Sequence, residues 1–207
     1  VSGESEPLSV PLLVAAYQAG YFPMGMDDGE IGWFSPDPRG VIPLDTFHVS
    51  KRLARVIRSG RFTVTLDRAF RQVMESCAAD RDDGTWINDE ILEVYCALHA
   101  RHLAHSVEVW LDGALAGGLY GVSLGGAFFG ESMFHRATDA SKVALVSLVE
   151  HLRACGFLLL DTQWTTPFLE TFGAVEVPRD VYLARLEQAL GARCRFDVIV
   201  SRSTHGH

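Results

Sequence analysis

Few features of this 207-residue chain speak for a membrane, a disulfide scaffold or a nucleotide loop. No apolar run approaches the ~20 residues that a bilayer-spanning helix needs. No basic segment followed by an apolar stretch and a cleavage site opens the sequence, and a cytoplasmic protein with no membrane partner is expected. Cysteine is sparse: Cys77, Cys96, Cys155 and Cys194 stand far apart without a Cys-x-x-Cys, the pattern of reduced, packed thiols rather than of disulfides or zinc ligands. Glycine is absent between Phe134 and Lys142, and no Gly-Lys-Ser/Thr follows the glycines at 117, 118, 121, 125 and 126, which excludes a P-loop. His99, His102 and His105 cross a predicted helix end with no carboxylate cluster beside them, so no metal is expected. There is neither an internal repeat nor a low-complexity tract.

Acidic residues are missing from one stretch of an otherwise acidic chain. The formal net charge is −8, which argues against a nucleic-acid partner. Yet none of the residues between Asp45 and Asp67 is acidic, while Lys51, Arg52, Arg55, Arg58 and Arg61 fall there. On a helix from about Val49 to Ser59, Val49, Leu53, Val56 and Ile57 share one face, and Lys51, Arg52, Arg55 and Arg58 the other. The plainer reading is a solvated helix face. The lack of compensating acids favours a stripe that grips phosphates.

What the chain does have is a patterned centre, and 48% hydrophobic residues suffice for a core. His105 to Asp112 alternates polar and apolar, Asp112-Gly113 signals a tight hairpin into Ala114 to Val122, and Gly125-Gly126 turns the chain into Ala127 to Phe134. Ala144, Leu145, Leu148, Val149 and Leu152 recur at helical spacing within Ala140 to Cys155, with Thr138 or Asp139 as N-cap and Gly156 as stop. The apolar run Phe157 to Leu160 then reads as a buried strand parallel to the one before the helix. This β-β-β-α-β order predicts an α+β fold with a GNAT-like acyltransferase core, a mixed, mainly antiparallel sheet flanked by helices. Two apolar strands end in chemistry: Gly130-Glu131-Ser132-Met133-Phe134 and Asp161-Thr162-Gln163.

Helices are also expected over Leu8 to Ala19, Ala69 to Ala79, Asp89 to His102 and Tyr182 to Leu190, and a strand over Arg61 to Leu66. Tyr21 to Pro43, with four prolines, reads as loop, so residues 1–50 form a small N-terminal domain and 51–207 the catalytic one. Head and tail, Val1 to Pro7 and Ser201 to His207, read as disordered. Trp33-Phe34 and Trp86 fall in predicted loops, where aromatics near a basic stripe can stack bases. Plugging a gap between the two domains is the simpler role for any one of them.

Trp-Phe-Ser-Pro-Asp-Pro-Arg at 33 to 39, Asp80-Arg81 with Gly84-Thr85-Trp86-Ile87, Gly117-Gly118-Leu119-Tyr120-Gly121, Gly130 to Phe134, Ala140-Ser141-Lys142 and Asp161-Thr162-Gln163 occur here in one order. In order and spacing they resemble the leucyl/phenylalanyl-tRNA-protein transferases, from about Leu12 to Leu186. The resemblance implies transfer of Leu or Phe from Leu-tRNA or Phe-tRNA to the N-terminal Arg or Lys of a protein. Such transfer marks the acceptor for the bacterial N-end rule pathway and uses neither metal nor coenzyme. A monomer is expected.

Peptide-bond formation from an aminoacyl ester needs a neutral acceptor amine aimed at the carbonyl. In that role Asp161 would drive the chemistry electrostatically, whether directly, through Gln163 or through the terminal ribose hydroxyl of the tRNA, Gln163 would position the amine, and Glu131 would attract a cationic N-terminal residue. Two residues apart in a strand, Asp161 and Gln163 should point to one face, with Asp161 orienting the Gln163 amide. By resemblance Leu119, Phe128, Met133, Leu148 and Leu160 would line the aminoacyl pocket, and Trp33, Phe34 and Trp86 would hold the terminal adenosine. Many relatives carry a second Trp where this chain has Phe34, which keeps stacking and loses an N–H donor. Two other classes compete. A coenzyme-A-dependent N-acetyltransferase of the same fold would need a glycine turn at the helix start for pyrophosphate. A non-catalytic RNA- or peptide-binding module would have no need of Asp161 with Gln163.

Overall fold

The computed structural model describes residues 8–26, 28–79 and 85–196; the expected disorder at both termini and the Asp80-Arg81 motif lie outside them. In chain order the elements begin α1 (Val10–Gln18), β1 (Phe22–Gly25), β2 (Ile31–Phe34), β3 (Arg39–Ile42), α2 (Lys51–Arg58), β4 (Thr63–Leu66), α3 (Phe70–Ala79) and α4 (Asp89–His99). They continue with β5 (Ala104–Leu111), β6 (Ala114–Leu124), β7 (Ala127–His135), α5 (Ala140–Ala154), β8 (Leu159–Gln163), α6 (Pro167–Glu170), β9 (Val175–Val177) and α7 (Arg179–Leu190).

β1 and β2 form a two-stranded sheet, and the other seven strands form a mixed sheet in the order β4-β5-β6-β7-β8-β3-β9. Its β7 and β8 pair in parallel and its remaining neighbours pair antiparallel. Local chemistry explains the central meander. Asp112 and Gly113 both take positive φ, 51° and 79°, the conformation that a two-residue hairpin matching strand twist demands. After β7 the chain crosses through α5, whose Val143, Ala144, Leu148, Val149 and Leu152 are buried, and returns as β8. Asp139 occupies the N-cap position of α5 at φ 71° and makes no capping bond. Its carboxylate instead accepts from Arg52 and lies 3.2 Å from Lys142 Nζ.

Helices cover both faces of the sheet. Tyr17 of α1, Met74 of α3, Tyr95 of α4 and Leu186 of α7 pack with Tyr120, Val122 and Phe129 in one apolar layer. Leu53 of α2 and the buried face of α5 pack with Leu119, Phe128 and Leu160 in the other. Where loop was expected between Tyr21 and Pro43, three short strands occur, and the third, β3, enters the large sheet between β8 and β9. Four-residue strands containing Pro23, Gly25, Gly32 and Gly40 carry no alternation long enough to recognise. The helix expected to reach His102 ends at His99, because His102 takes φ 57° in the turn to β5.

Candidate active site

The parallel pairing of β7 with β8 runs from Ala127↔Leu159 to Phe129↔Asp161 and stops there. Beyond it, Gly130 to Met133 on one strand and Thr162 and Gln163 on the other become walls of a cavity of about 250 Å³. Two β-bulges aim them. In the β6–β7 register Tyr120 faces Ser132 and Gly121 faces Gly130, so Glu131 is the extra residue. In the β3–β8 register Gly40 faces Gln163 and Val41 faces Asp161, so Thr162 is extra. Each bulge is opposed by a glycine for which no side chain has room. A Cβ on Gly121 would lie 2.2 Å from the Phe129 carbonyl oxygen, and one on Gly40 would lie 2.5 Å from the Trp164 carbonyl carbon. Bulges of this kind redirect side chains, which is why they gather beside active sites.

The cavity is apolar over most of its lining, and its polar residues Glu131, Thr162 and Gln163 stand where it meets a neighbouring cavity. Leu119, Met133, Leu145, Leu148, Leu160, Phe168 and Leu169 line it, together with Glu131, Thr162 and Gln163. Four of the five residues expected for an aminoacyl pocket therefore meet in one cavity. The fifth, Phe128, does not: it is fully buried under Gly121, with its ring centre 5.5 Å from that of Phe196.

Glu131 sits at the centre of a hydrogen-bonded cluster. Tyr17 Oη donates to its Oε1 at 2.7 Å, Gln163 Nε2 donates to the same oxygen at 3.1 Å, and Tyr95 Oη approaches Oε2 at 3.4 Å. The two phenols also hydrogen-bond to each other. Burial pushes the Glu131 carboxyl up to about 8, against the Tyr17 hydrogen bond that pulls it down and with the nearby Asp161 charge that adds to the rise. Proton counting agrees. Three oxygen–oxygen contacts among two phenols and one carboxyl need three protons, which the set holds only when Glu131 is neutral. Burial, followed by the proximity of Glu131, likewise raises both phenols well above their ordinary range, so they remain donors.

Asp161 lies elsewhere. Leu160 and Thr162 line the cavity and Asp161, between them, does not. Fully buried, it accepts from Arg39 Nε and Nη2, from Tyr182 Oη at 2.6 Å and from the backbone N–H of Gln163 at 2.8 Å. The strand alternation that would put Asp161 and Gln163 on one face is broken by Gln163, which takes φ 59°. Its side-chain amide bonds Glu131, while Asp161 holds only its backbone. The Thr162 hydroxyl oxygen is buried with no hydrogen-bond partner among the described residues.

A second cavity of about 260 Å³ adjoins the first and shares Glu131, Thr162, Gln163, Thr166 and Leu169 with it. The rest of its wall is Phe22, Met24, Trp86 and Trp164. Trp86 thus reaches the vestibule, and Phe34 stands behind it, within 6.5 Å of Phe22 and Trp164 ring to ring. Trp33 is not brought there: alternation along β2 turns it to another cavity, lined by Leu8, Leu12, Glu30 and Glu90. Met24 and Trp164 line the vestibule instead. Neither stands out as a motif, because a lone Met and a lone Trp carry no spacing. Of the basic stripe, all four residues lie on α2 away from the inward Leu53, but Arg52 is paired to Asp139 through both terminal nitrogens. Among the described residues no cluster of His, Cys, Asp or Glu could hold a metal ion, and no helix is long and apolar enough to cross a membrane.

Residues 41–187 match the family model "Leucyl/phenylalanyl-tRNA protein transferase", and residues 6–37 match that of the same family's N-terminal domain. A leucyl/phenylalanyl-tRNA–protein transferase of Rhodopseudomonas palustris (strain TIE-1) is 54% identical over 199 residues, covering 94% of this chain and 88% of its own. One of the same name from Herpetosiphon aurantiacus is 56% identical over 190 residues, covering 91% and 98%. Among solved structures, FemX aligns over 86% of this chain and 66% of its own at 12% identity, with a TM-score of 0.48.

Proposed function

Because this chain belongs to the leucyl/phenylalanyl-tRNA protein transferase family, we propose that it moves Leu or Phe from aminoacyl-tRNA to the α-amine of proteins that begin with Arg or Lys. The observation that carries this reading is one apolar cavity with Glu131 and Gln163 at its mouth and an aromatic vestibule beyond. A cavity of roughly 150 Å³ holds a benzene ring, so about 250 Å³ admits an isobutyl or benzyl side chain with no polar demand. Leu and Met walls adapt to either guest.

With the side chain seated there, the ester carbonyl lies toward Glu131 and Gln163, and the terminal adenosine occupies the vestibule against Trp86, Met24 and Trp164. The neutral acceptor nitrogen attacks the carbonyl carbon, the ester C–O bond breaks, and the proton that the nitrogen then sheds goes to the leaving ribose oxygen. Gln163 spends its N–H on Glu131, which leaves its carbonyl oxygen to accept from the attacking amine. Glu131, near 8, is matched to an α-amine of about 7.7–8.0 and takes its proton when ionised, while its charge favours a cationic N-terminal residue. Lys51, Arg55 and Arg58 hold tRNA phosphates.

The finer organisation belongs to the same reading. A GNAT-like core is supported by the mixed sheet whose parallel pair opens past Phe129 and Asp161. The separate β1–β2 sheet supports a small N-terminal unit, although β3, within residues 1–50, lies in the large sheet. A monomeric, cytoplasmic enzyme without a cofactor completes it. Against coenzyme A, the N-terminus of α5 presents the Asp139 carboxylate, held by Arg52 and Lys142, where a pyrophosphate would have to sit. Radiolabelled Leu-tRNA and Phe-tRNA offered to peptides beginning with Arg, Lys or Ala test the proposal. Transfer to Arg and Lys peptides alone is expected, and transfer to Ala peptides, or acetyl transfer from acetyl-CoA, refutes it.

A further inference from the structure

Gln163 is held in a conformation that its own sequence does not favour. Trp164 N–H donates to the Thr162 carbonyl at 2.7 Å, closing a three-residue γ-turn with Gln163 at its centre at φ 59°. Positive-φ γ-turns are rare and strained, and such a residue persists only where its surroundings over-determine it. Here the surroundings are specific. The Gln163 N–H is taken by Asp161 Oδ1, and Gly40 gives the turn room by lacking a Cβ.

Asp161 is in turn fixed by two residues that line neither of the two cavities. Arg39, 1% exposed, reaches it through Nε and Nη2, and Tyr182, 2% exposed, through its hydroxyl. The guanidinium lies over the rings of Phe22 and Tyr182, 5.0 and 4.6 Å from their centres, so it cannot swing away. With its Nη1 it also donates at 3.0 Å to the carbonyl of Gly20, two residues beyond α1, and α1 carries the Tyr17 that bonds Glu131. One buried cation thus steadies both sides of the Glu131–Gln163 contact. The acceptor sites of Asp161 are filled by protein donors, which leaves none for substrate.

Building on the aminoacyl-transfer reading, we infer that Arg39 and Tyr182 are positioning residues for it: through Asp161 they hold the Gln163 turn, and so aim the Gln163 amide at Glu131 and the cavity mouth. Asp161 then acts on Gln163 and not on substrate.

The test avoids Arg39→Met, because a buried carboxylate stripped of its partner can unfold the protein. Tyr182→Phe removes one hydrogen bond and keeps the ring under Arg39. It should lower kcat roughly tenfold, the worth of one hydrogen bond to a charged group, and leave both donor and acceptor KM within about twofold. Amide exchange at Gln163 should speed up selectively over Leu160 on the same strand. Gln163→Asn keeps a residue that tolerates positive φ but shortens the reach to Glu131. In that background Tyr182→Phe should have no further effect on kcat, because both act through one amide. Arg39→Lys, which keeps charge and loses the two-pronged contact, should behave like Tyr182→Phe. The inference is overturned if Tyr182→Phe turns over like wild type, if Gln163 exchange is unaltered, or if the loss repeats in full on Gln163→Asn. Wild-type protein that transfers nothing would instead overturn the transfer reading, and this one with it.

Discussion

Replacing Glu131 by Gln should make the protein more stable at alkaline pH and change little at acid pH. The carboxyl is held near 8 in the folded protein, against an ordinary 4.5, chiefly by burial. Between those values the folded state keeps a proton that the unfolded chain has released, so stability falls as pH rises, by about 1.4 kcal/mol per pH unit. Below pH 4.5 both states are protonated and the full stability is present; above about 8 both are ionised and the loss is complete. Across the window it amounts to at most about 5 kcal/mol, and solvent reaching the half-buried side chain trims it. A glutamine there offers one acceptor to Tyr17 and Gln163 and an N–H₂ to Tyr95, the pattern of the neutral acid, and has nothing to titrate. Urea unfolding of both proteins from about pH 5 to about pH 9 isolates the effect, because every other group cancels in the difference. The stability of the Glu131→Gln variant minus that of wild type should be near zero at the acid end and exceed about 2 kcal/mol at the alkaline end. A difference that stays flat, or one that favours wild type at high pH, would show that the cluster does not hold a proton and would remove the basis for giving Glu131 a role near neutrality.

Four further outcomes are expected. Transfer to an Arg-ended peptide should rise with pH toward about 8 in wild type, and Glu131→Gln should raise the acceptor KM without weakening aminoacyl-tRNA binding; an unchanged KM refutes the acceptor role. Leu119→Ala and Met133→Ala should shift the Phe-to-Leu transfer ratio by a factor equivalent to about 1–3 kcal/mol, whereas equal loss of both substrates with lowered stability would mark the residue as core alone. Charge reversal at Arg55 and Arg58 should flatten the salt dependence of tRNA binding by roughly 0.7–0.9 in log–log slope per contact, with transfer from an aminoacyl-adenosine retained. Reversal of Arg52 should instead act through its partner Asp139, and equal slopes for all three would refute that distinction. Gly40→Ala forces a Cβ against the Trp164 backbone and should destabilise by about 1–3 kcal/mol, read as a lowered urea midpoint.

How much of this is legible in the sequence follows the range of the physics. Strands β5 to β8 and helix α5 stand in the sequence because alternation, a two-glycine turn and helical spacing are local signals. The two polar strand ends are visible for the same reason, and Glu131 and Gln163 do meet. The hydrogen-bond partners that give them chemistry are not. Tyr17 lies 114 residues from Glu131, and Arg39 lies 122 from Asp161, so no spacing rule connects them. The expectation that Asp161 and Gln163 share a face fails at one torsion angle. Trp33 draws attention over Met24 because it is a Trp, while only the β1–β2 register tells which of the two faces the vestibule.

The position of β3 bears on how the chain assembles. It is made early, yet its place lies between β8 and β9, which are synthesised more than a hundred residues later. Until β8 exists Arg39 has no carboxylate to join, and a lone guanidinium stays in water. The sheet from β4 to β8 can pair sequentially, strand upon strand, so the early strand must wait outside until β8 is in place, and β9 can pair only once it has entered. Its entry closes the β8 edge, buries Arg39 against Asp161 and brings Gly40 under the Gln163 turn in one event. A nascent chain stalled before β8 should therefore show native-like hairpins and no site, and competence to transfer should appear with the slowest folding phase.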